Sequence, residues 1–287
     1  MPEIRVVVSD ELDRYMDTVV QKGMFGSKAE LIRAAVIRYV ETLPIRVPSG
    51  YDDTTVFSPD GRIFQIEYAI ESVARGATIV GLRYHDGVIL AKERPEFKGV
   101  ADFPYIVTTP WERYQVDQHI GMVPAGLAAD FILLKNKATE EAQEYRSKIG
   151  EPISVEELTI KLALLMHSYT TKKDMRPLGC VLLIGGVDKT GCRLFVLDPS
   201  GTYKEVLAGC HGSGFHEVNN ILKDRYSVDI PFKEALGLTV GAVLREETRK
   251  PEEIAVAVIE AGTKTLRKVT LEELREVWKT AFKKKEE

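Results

Sequence analysis

The sequence predicts an α+β fold in segregated layers, preceded by a small module of one strand and two helices. Three observations carry this expectation. Beyond residue 75 the periodicities come in blocks: strands, two helices, strands, then helices and strands again. Strict strand–helix alternation would instead mark a doubly wound sheet. Residues 3 to 42 read as strand, helix, helix. Pro44, Pro48, Ser49 and Gly50 then mark a short, stiff linker. The expected divisions are a module over 1–43, a linker over 44–50 and a main domain over 51–287. At 287 residues and 44% hydrophobic, the chain can fill a sizeable core.

Each element has its own signal. Ile4, Val6 and Val8 alternate with Glu3, Arg5 and Val7, a strand pattern over 4–8. Ser9 is an N-cap, and Leu12, Tyr15, Met16, Val19 and Val20 follow at helical spacing until Gly23. Ser27 and Glu30 form a capping box for a second helix reaching Thr42. Ser58-Pro59-Asp60-Gly61 is a turn, because Pro fixes φ and Gly admits positive φ. Ile63, Ile66, Ile70 and Val73 give one apolar helical seam, ended by Arg75-Gly76. Strands follow over Ala77–Arg83 and Val88–Glu93, joined by His85-Asp86-Gly87. Lys92–Asp102 is polar and expected to be exposed, and Tyr105–Thr108 and Val116–Val123 read as weaker strands.

A long helix is expected over Leu127–Lys148, ended by Gly150, and another after the Ser154/Glu157 box to Thr171. Cys180–Val187 and Cys192–Asp198 read as a hairpin, and Thr202–Leu207 as one strand. Helices over Phe215–Tyr226 and Phe232–Glu247, strands over Ile254–Glu260 and Thr265–Val269, and a helix from Leu271 to Lys285 complete the chain.

Composition excludes several classes. A net charge of −4 provides no global field for nucleic acid. Cys180, Cys192 and Cys210 are odd in number and lack metal-ligand spacing, the usage of reduced thiols in a cytoplasm. The first residues lack the basic flank and apolar run of a signal peptide, and no stretch has the length of a membrane span. No cofactor motif is present. Gly212-Ser213-Gly214 after His211 lacks the rest of a dinucleotide fingerprint, and Cys210, His211 and His216 lack a fourth ligand. Ser168 and Ser213 sit in no nucleophile elbow.

The segments Tyr51-Asp52, Phe57-Ser58-Pro59-Asp60-Gly61-Arg62 and Gln65-Ile66-Glu67-Tyr68-Ala69 together resemble the N-terminal signature of proteasome α-type subunits. Ala125-Gly126-Leu127-Ala128-Ala129-Asp130, Arg176-Pro177-Leu178-Gly179, Leu194-Phe195 and Asp198-Pro199-Ser200-Gly201 agree with it. The resemblance runs from about residue 51 to the end. It implies the four-layer αββα sandwich of N-terminal-nucleophile hydrolases, with two antiparallel sheets between helix layers. Tyr51, Asp52, Pro59 and Tyr68 would then shape an axial gate. The Ile63–Ala74 helix would make ring contacts. Arg113 would hold an activator's C-terminal carboxylate, although one gap in the alignment moves that position to Glu112, which would repel it. β-type subunits and an ATPase activator would be partners. Asp53 departs from the family, which commonly has Arg there.

Catalytic members of that superfamily attack with an N-terminal Thr freed after Gly. The matching pair here is Gly76-Ala77, and Ala77 has no nucleophilic atom. Thr78 comes one residue late, on the other face of its strand. Glu93 falls near the acidic residue that supports the nucleophile, and without one it reads as a strand-end carboxylate. The chain is expected not to be an enzyme.

The first 43 residues resemble a ribbon-helix-helix module, which pairs two chains through their strands. Such a small unit cannot bury a core alone. In that family outward strand residues read DNA and the second helix holds a phosphate. The positions here are Glu3, Arg5 and Val7, with Ser27 and Lys28 at the phosphate. Seven basic and seven acidic residues among the first 50 leave a neutral module with little counterion release to gain. Two readings stand: a structural and gating protein whose module dimerises it, and a DNA-binding regulator that oligomerises through the main domain. Pairing in twos also conflicts with the family's seven-membered rings, since seven copies cannot all pair within one ring.

Overall fold

The computed structural model describes residues 7–23, 25–42, 51, 53–94, 114–246 and 248–283. The chain divides into two compact units, Met1–Asp52 and Asp53–Glu287.

The first unit contains α1 (Asp10–Gln21) and α2 (Lys28–Thr42). Ser9 caps α1, its Oγ accepting from Leu12 N at 3.3 Å. Ser27 Oγ accepts from Glu30 N at 3.2 Å, but the Glu30 carboxylate takes the Gly26 N–H at 2.8 Å instead of closing the expected box on Ser27. Lys28 Nζ ties the helices together, 2.7 Å from Asp13 and 2.8 Å from Asp17. Among the described residues of this unit Met16 is the buried hydrophobic side chain, while Leu12, Tyr15, Val36 and Tyr39 are exposed. Of the expected strand over 4–8, residues 4–6 lie outside the described residues. Val7 and Val8 are described and are not in a strand, and Val7 is 98% exposed. The 44–50 linker also lies outside the described residues.

In the second unit, α3 (Phe64–Ala74) leads into β1 (Ile79–Tyr84) and β2 (Gly87–Glu93). Then come β3 (Gln115–Asp117), β4 (Ile120–Gly126), α4 (Ala128–Ile149), α5 (Val155–Thr171), β5 (Cys180–Asp188) and β6 (Gly191–Leu197). The remainder is β7 (Tyr203–Glu205), β8 (Ala208–His211), α6 (Phe215–Arg225), α7 (Phe232–Leu244), β9 (Ile254–Glu260), β10 (Leu266–Lys268) and α8 (Leu271–Lys283). One sheet runs β10-β9-β2-β1-β8 and the other β3-β4-β5-β6-β7, with every pair antiparallel.

Alternation along the strands builds the layers. Val80, Leu82, Ile89 and Ala91 pack with residues of α6, α7 and α8. Their neighbours Ile79, Val88 and Leu90 pack with Val123, Val181, Leu183 and Leu194 of the other sheet. Met122, Leu182 and Ile184 face Phe131, Leu134, Leu158 and Leu162 of α4 and α5. Each such fully buried aliphatic side chain contributes roughly 1.5–3 kcal/mol. The order of layers is helix, sheet, sheet, helix. Gly150, at φ +82°, ends α4 in the left-handed region.

Four sequence expectations are corrected. The single strand over Thr202–Leu207 is two strands on different sheets. Val206 N still donates to Leu194 O in one sheet (2.9 Å), while Leu207 O already accepts from Arg83 N in the other (2.8 Å), so the chain crosses there. Val116–Val123 is likewise split into β3 and β4, by a turn in which Asp117 Oδ1 accepts from Gln118 N at 2.7 Å. In the apolar seam of α3, Val73 is buried but Ile70 is 48% exposed. Lys92, expected to be exposed, lies half-buried within β2. Residues 95–102 and the expected Tyr105–Thr108 strand lie outside the described residues.

Candidate functional site

The signature region begins with a turn organised by one serine. Ser58 Oγ accepts from Arg62 N (3.0 Å) and donates to Asp60 Oδ1 (2.5 Å), while Gly61 N donates to Ser58 O (2.8 Å). Arg62 forks onto Glu67 of α3 at 2.6 and 2.5 Å and lies over the Phe64 ring. Glu67 first, then Asp60, raises the Arg62 pKa further above its already high value. Thr54 Oγ1 donates to Lys172 O at 3.2 Å, and Asp53 Oδ1 accepts from Thr55 N and Oγ1. Asp53 therefore closes a local turn. Of the four residues expected at a gate, Tyr51 and Pro59 are exposed, Tyr68 is half-buried on α3, and Asp52 lies outside the described residues. Arg113 and Glu112 also lie outside them.

Two motifs far apart in sequence meet behind α3. Asp130, in the first turn of α4, receives Arg176 at 2.7 and 2.8 Å and the Gly179 N–H at 2.7 Å. Burial works against the Asp130 carboxylate, but Arg176 and Gly179 outweigh it and hold its pKa below the ordinary value. Gly179 O in turn accepts from Leu127 N and from Ser72 Oγ of α3, both at 2.9 Å. Gly76 belongs to the same junction: a Cβ there would stand 2.2 Å from Gly126 N. The sequence displayed both motifs, and the opposite charges of Asp130 and Arg176 were the available signal for their pairing.

The start of β1 carries the chemistry, or its absence. Ala77 precedes the strand. Thr78 is fully buried, and its Oγ1 accepts from Gly214 N at 3.1 Å and from the Arg245 guanidinium at 3.3 Å. Thr78 N donates to Glu93 Oε2 at 3.1 Å, and Glu93 Oε1 meets Arg249 at 2.5 Å. Arg249 also holds Glu253 at 2.9 Å. Burial opposes charge on Glu93, but the Thr78 N–H and Arg249 prevail and lower its pKa. Arg245 reaches Thr78 across Gly214, where a Cβ would come within 1.8 Å of the guanidinium, and its own φ is +63°. This ion network was missed in sequence, because Arg245, Arg249 and Glu253 lie more than 150 positions from Glu93. Beside it, Lys92 Nζ donates to Pro124 O at 2.9 Å and lies 5.8 Å from the Tyr114 ring centre. Burial pulls its pKa down to about 8.

The remaining candidates have structural roles. Ser168 Oγ donates to Leu165 O, and Ser213 N donates to Gly76 O. His211 stacks on Phe215, and burial lowers its pKa. The three cysteines are free, and among the described residues no His/Cys/Asp/Glu group could hold a metal ion. Among them, too, no helix is long and apolar enough to cross a membrane. In the first unit Val7 and Ser27 are exposed and Lys28 is held by two aspartates, whereas Glu3 and Arg5 lie outside the described residues.

Comparison with known proteins places the sequence in a family. A family model described as proteasome subunit matches residues 73–259, and one described as the N-terminal signature of the A-type proteasome subunits matches residues 51–71. The chain belongs to the proteasome α-subunit family. The proteasome alpha subunit of Methanococcus maripaludis is 38% identical over 240 residues, 83% of this chain and 91% of its own length. That of Methanopyrus kandleri is 40% identical over 233 residues, 79% of this chain and 93% of its own. That of Methanothermobacter thermautotrophicus is 40% identical over 232 residues, 79% and 92% respectively. The proteasome match thus rests on the sandwich and its signature turn.

Proposed function

We propose that this α-family chain is a non-catalytic structural and gating component of a proteasome-like ring, and that its first unit pairs chains. The reading is carried by Glu93, which Thr78 N and Arg249 already engage, together with our assignment of Ala77 to the nucleophile position. Neither a reactive hydroxyl nor a free general base remains there. The outer helices support assembly. Ile132 and Leu133 on α4 and Ile160 and Leu164 on α5 are exposed, a surface suited to neighbouring subunits. In this reading Tyr51, Asp52, Pro59 and Tyr68 shape the gate, and Arg113 receives an ATPase activator's carboxylate. β-type subunits supply the proteolysis, in a cytoplasmic setting compatible with free thiols.

The test is co-expression with β-type subunits, followed by native mass measurement of the full chain and of a chain lacking residues 1–50. A ring-sized particle with peptidase activity dependent on the β-type partner is expected. A stable dimer or tetramer that takes up no β-type partner would sink the ring. Intact mass should remain that of the unprocessed chain.

For the first unit, pairing is favoured over DNA binding by the state of the α2 N-terminus. Lys28 is committed to Asp13 and Asp17, Ser27 Oγ to Glu30 N, and Gly26 N to the Glu30 carboxylate. Lys28 and the Gly26 N–H, which would cradle a phosphate, already hold the protein's own carboxylates, and Ser27 Oγ is occupied by a backbone N–H. A salt-sensitive gel shift that disappears in Arg5→Ala would reverse this choice in favour of a ribbon-helix-helix regulator.

A further inference from the structure

The sandwich end opposite Ala77 carries a cavity of about 320 Å3, near the lower limit for small-molecule sites, roughly 300–1,000 Å3. Hydrogen bonds hold its walls in register. Leu266 N donates to Gln118 O at 2.7 Å, Val187 N to His119 O at 3.1 Å, and Ala261 N to Asp86 O at 2.7 Å. The β3–β4, β5–β6 and β9–β10 turns thereby converge with the α4–α5 connection.

Acceptors and donors in the lining are unequally engaged. Asp188 is buried and already takes Val155 N at 2.9 Å, Thr190 N at 2.7 Å and Thr190 Oγ1 at 2.6 Å. His119 is buried, and its Nε2 is engaged with Ile153 O at 2.8 Å. The basic side chains retain capacity. Arg146 gives one N–H to Asp117, at 2.6 Å, from a fork of five donors. Lys189 is 3.6 Å from Glu151, beyond hydrogen-bond reach, and both side chains are well exposed. Among the described residues Lys264 has no ion pair, and its φ of +50° is one that non-glycine residues seldom adopt. Three cations therefore reach one cavity from three segments, while the buried acid in its wall has no remaining need of them.

We infer that this cavity binds a small molecule bearing a phosphate monoester. Donors approaching from separate sides match a tetrahedral dianion better than a planar carboxylate, and the volume exceeds that of the phosphate alone. Arg146 supplies the directional contacts, and Lys264 and Lys189 the mobile charges. Glu151, at the rim, faces the uncharged part of the ligand. The inference is independent of ring assembly, because every group named lies within one chain's sandwich.

The test is titration of the full chain with glucose 6-phosphate by calorimetry, with glucose, inorganic phosphate and sodium sulfate as controls at matched ionic strength. Saturable binding of the ester is expected, with inorganic phosphate weaker and glucose silent. Lys264→Glu should weaken the ester at least tenfold and Lys189→Ala several-fold. Both positions are exposed, and thermal unfolding of the variants checks that the fold is kept. Binding unchanged in both variants, no saturation by the ester, or an equal response to sulfate would each overturn the proposal.

Discussion

The two units of this chain are built to opposite standards of self-sufficiency. The sandwich buries aliphatic side chains on both faces of both sheets, and its ion pairs close on themselves. The two-helix unit buries Met16 and leaves Leu12, Tyr15, Val36 and Tyr39 in solvent. Small size explains the difference: two short helices have too little interior to offset the entropy of ordering them. Among the described residues the first unit thus leaves most of its apolar side chains uncovered, whereas the second covers them within its own layers.

That contrast can be broken or sharpened by substitution. The largest effect is expected at Leu134, fully buried under α5 and the sheet. Leu134→Ala should cost about 2–5 kcal/mol by chemical denaturation of the sandwich. A cost below about 1 kcal/mol would mean that the layers are not packed as described. Asp130→Ala should cost about 3 kcal/mol, because it strands the buried Gly179 N–H as well as releasing Arg176. Asp130→Asn should recover part of that loss.

Lys92→Met should act in the other direction, stabilising by up to about 2–3 kcal/mol near neutral pH, since the amine is buried with a backbone carbonyl as its hydrogen-bond partner. Its folded pKa of about 8 lies below the ordinary 10.5. Between those values the unfolded chain binds a proton that the folded chain does not. Wild-type stability should therefore rise as pH increases from about 8 towards 10.5, and the slope should flatten in Lys92→Met. Identical slopes would place the amine in water.

Glu93→Gln should cost about 1–2 kcal/mol. Its depressed pKa makes its contribution present above the unfolded carboxylate value and lost as pH falls through the lower folded value. The variant should consequently lose less stability on acidification than wild type. The smallest effect on unfolding is expected at exposed Leu12: Leu12→Ala should move it by less than about 0.5 kcal/mol, while weakening self-association measured by sedimentation. A large change in unfolding with unchanged mass would show that the first unit has a core of its own.

Much of the sandwich was legible because strand and helix periods differ and the ends carry explicit signals. Gly150 at the end of α4 and Ser154 at the start of α5 stand where the residue types require them. The crossing between β7 and β8 was not legible. Val206 and Leu207 continue one local strand pattern, and the sheet that each joins is fixed by non-local hydrogen bonds. The same holds for Lys92: a lysine opening a polar stretch reads as exposed, and its burial is imposed by β4 and Tyr114.

By itself the sequence determined most element types, the signature turn at Ser58 and the resemblance that led to the family. These rest on local backbone preference and residue chemistry, which neighbours along the chain suffice to express. Tertiary structure alone decided that Arg249 closes on Glu93, that Arg176 closes on Asp130, and that one helix and two turns bring cations to one cavity. Such contacts join positions far apart in the chain, and opposite charge alone does not select one partner among the many that the sequence offers.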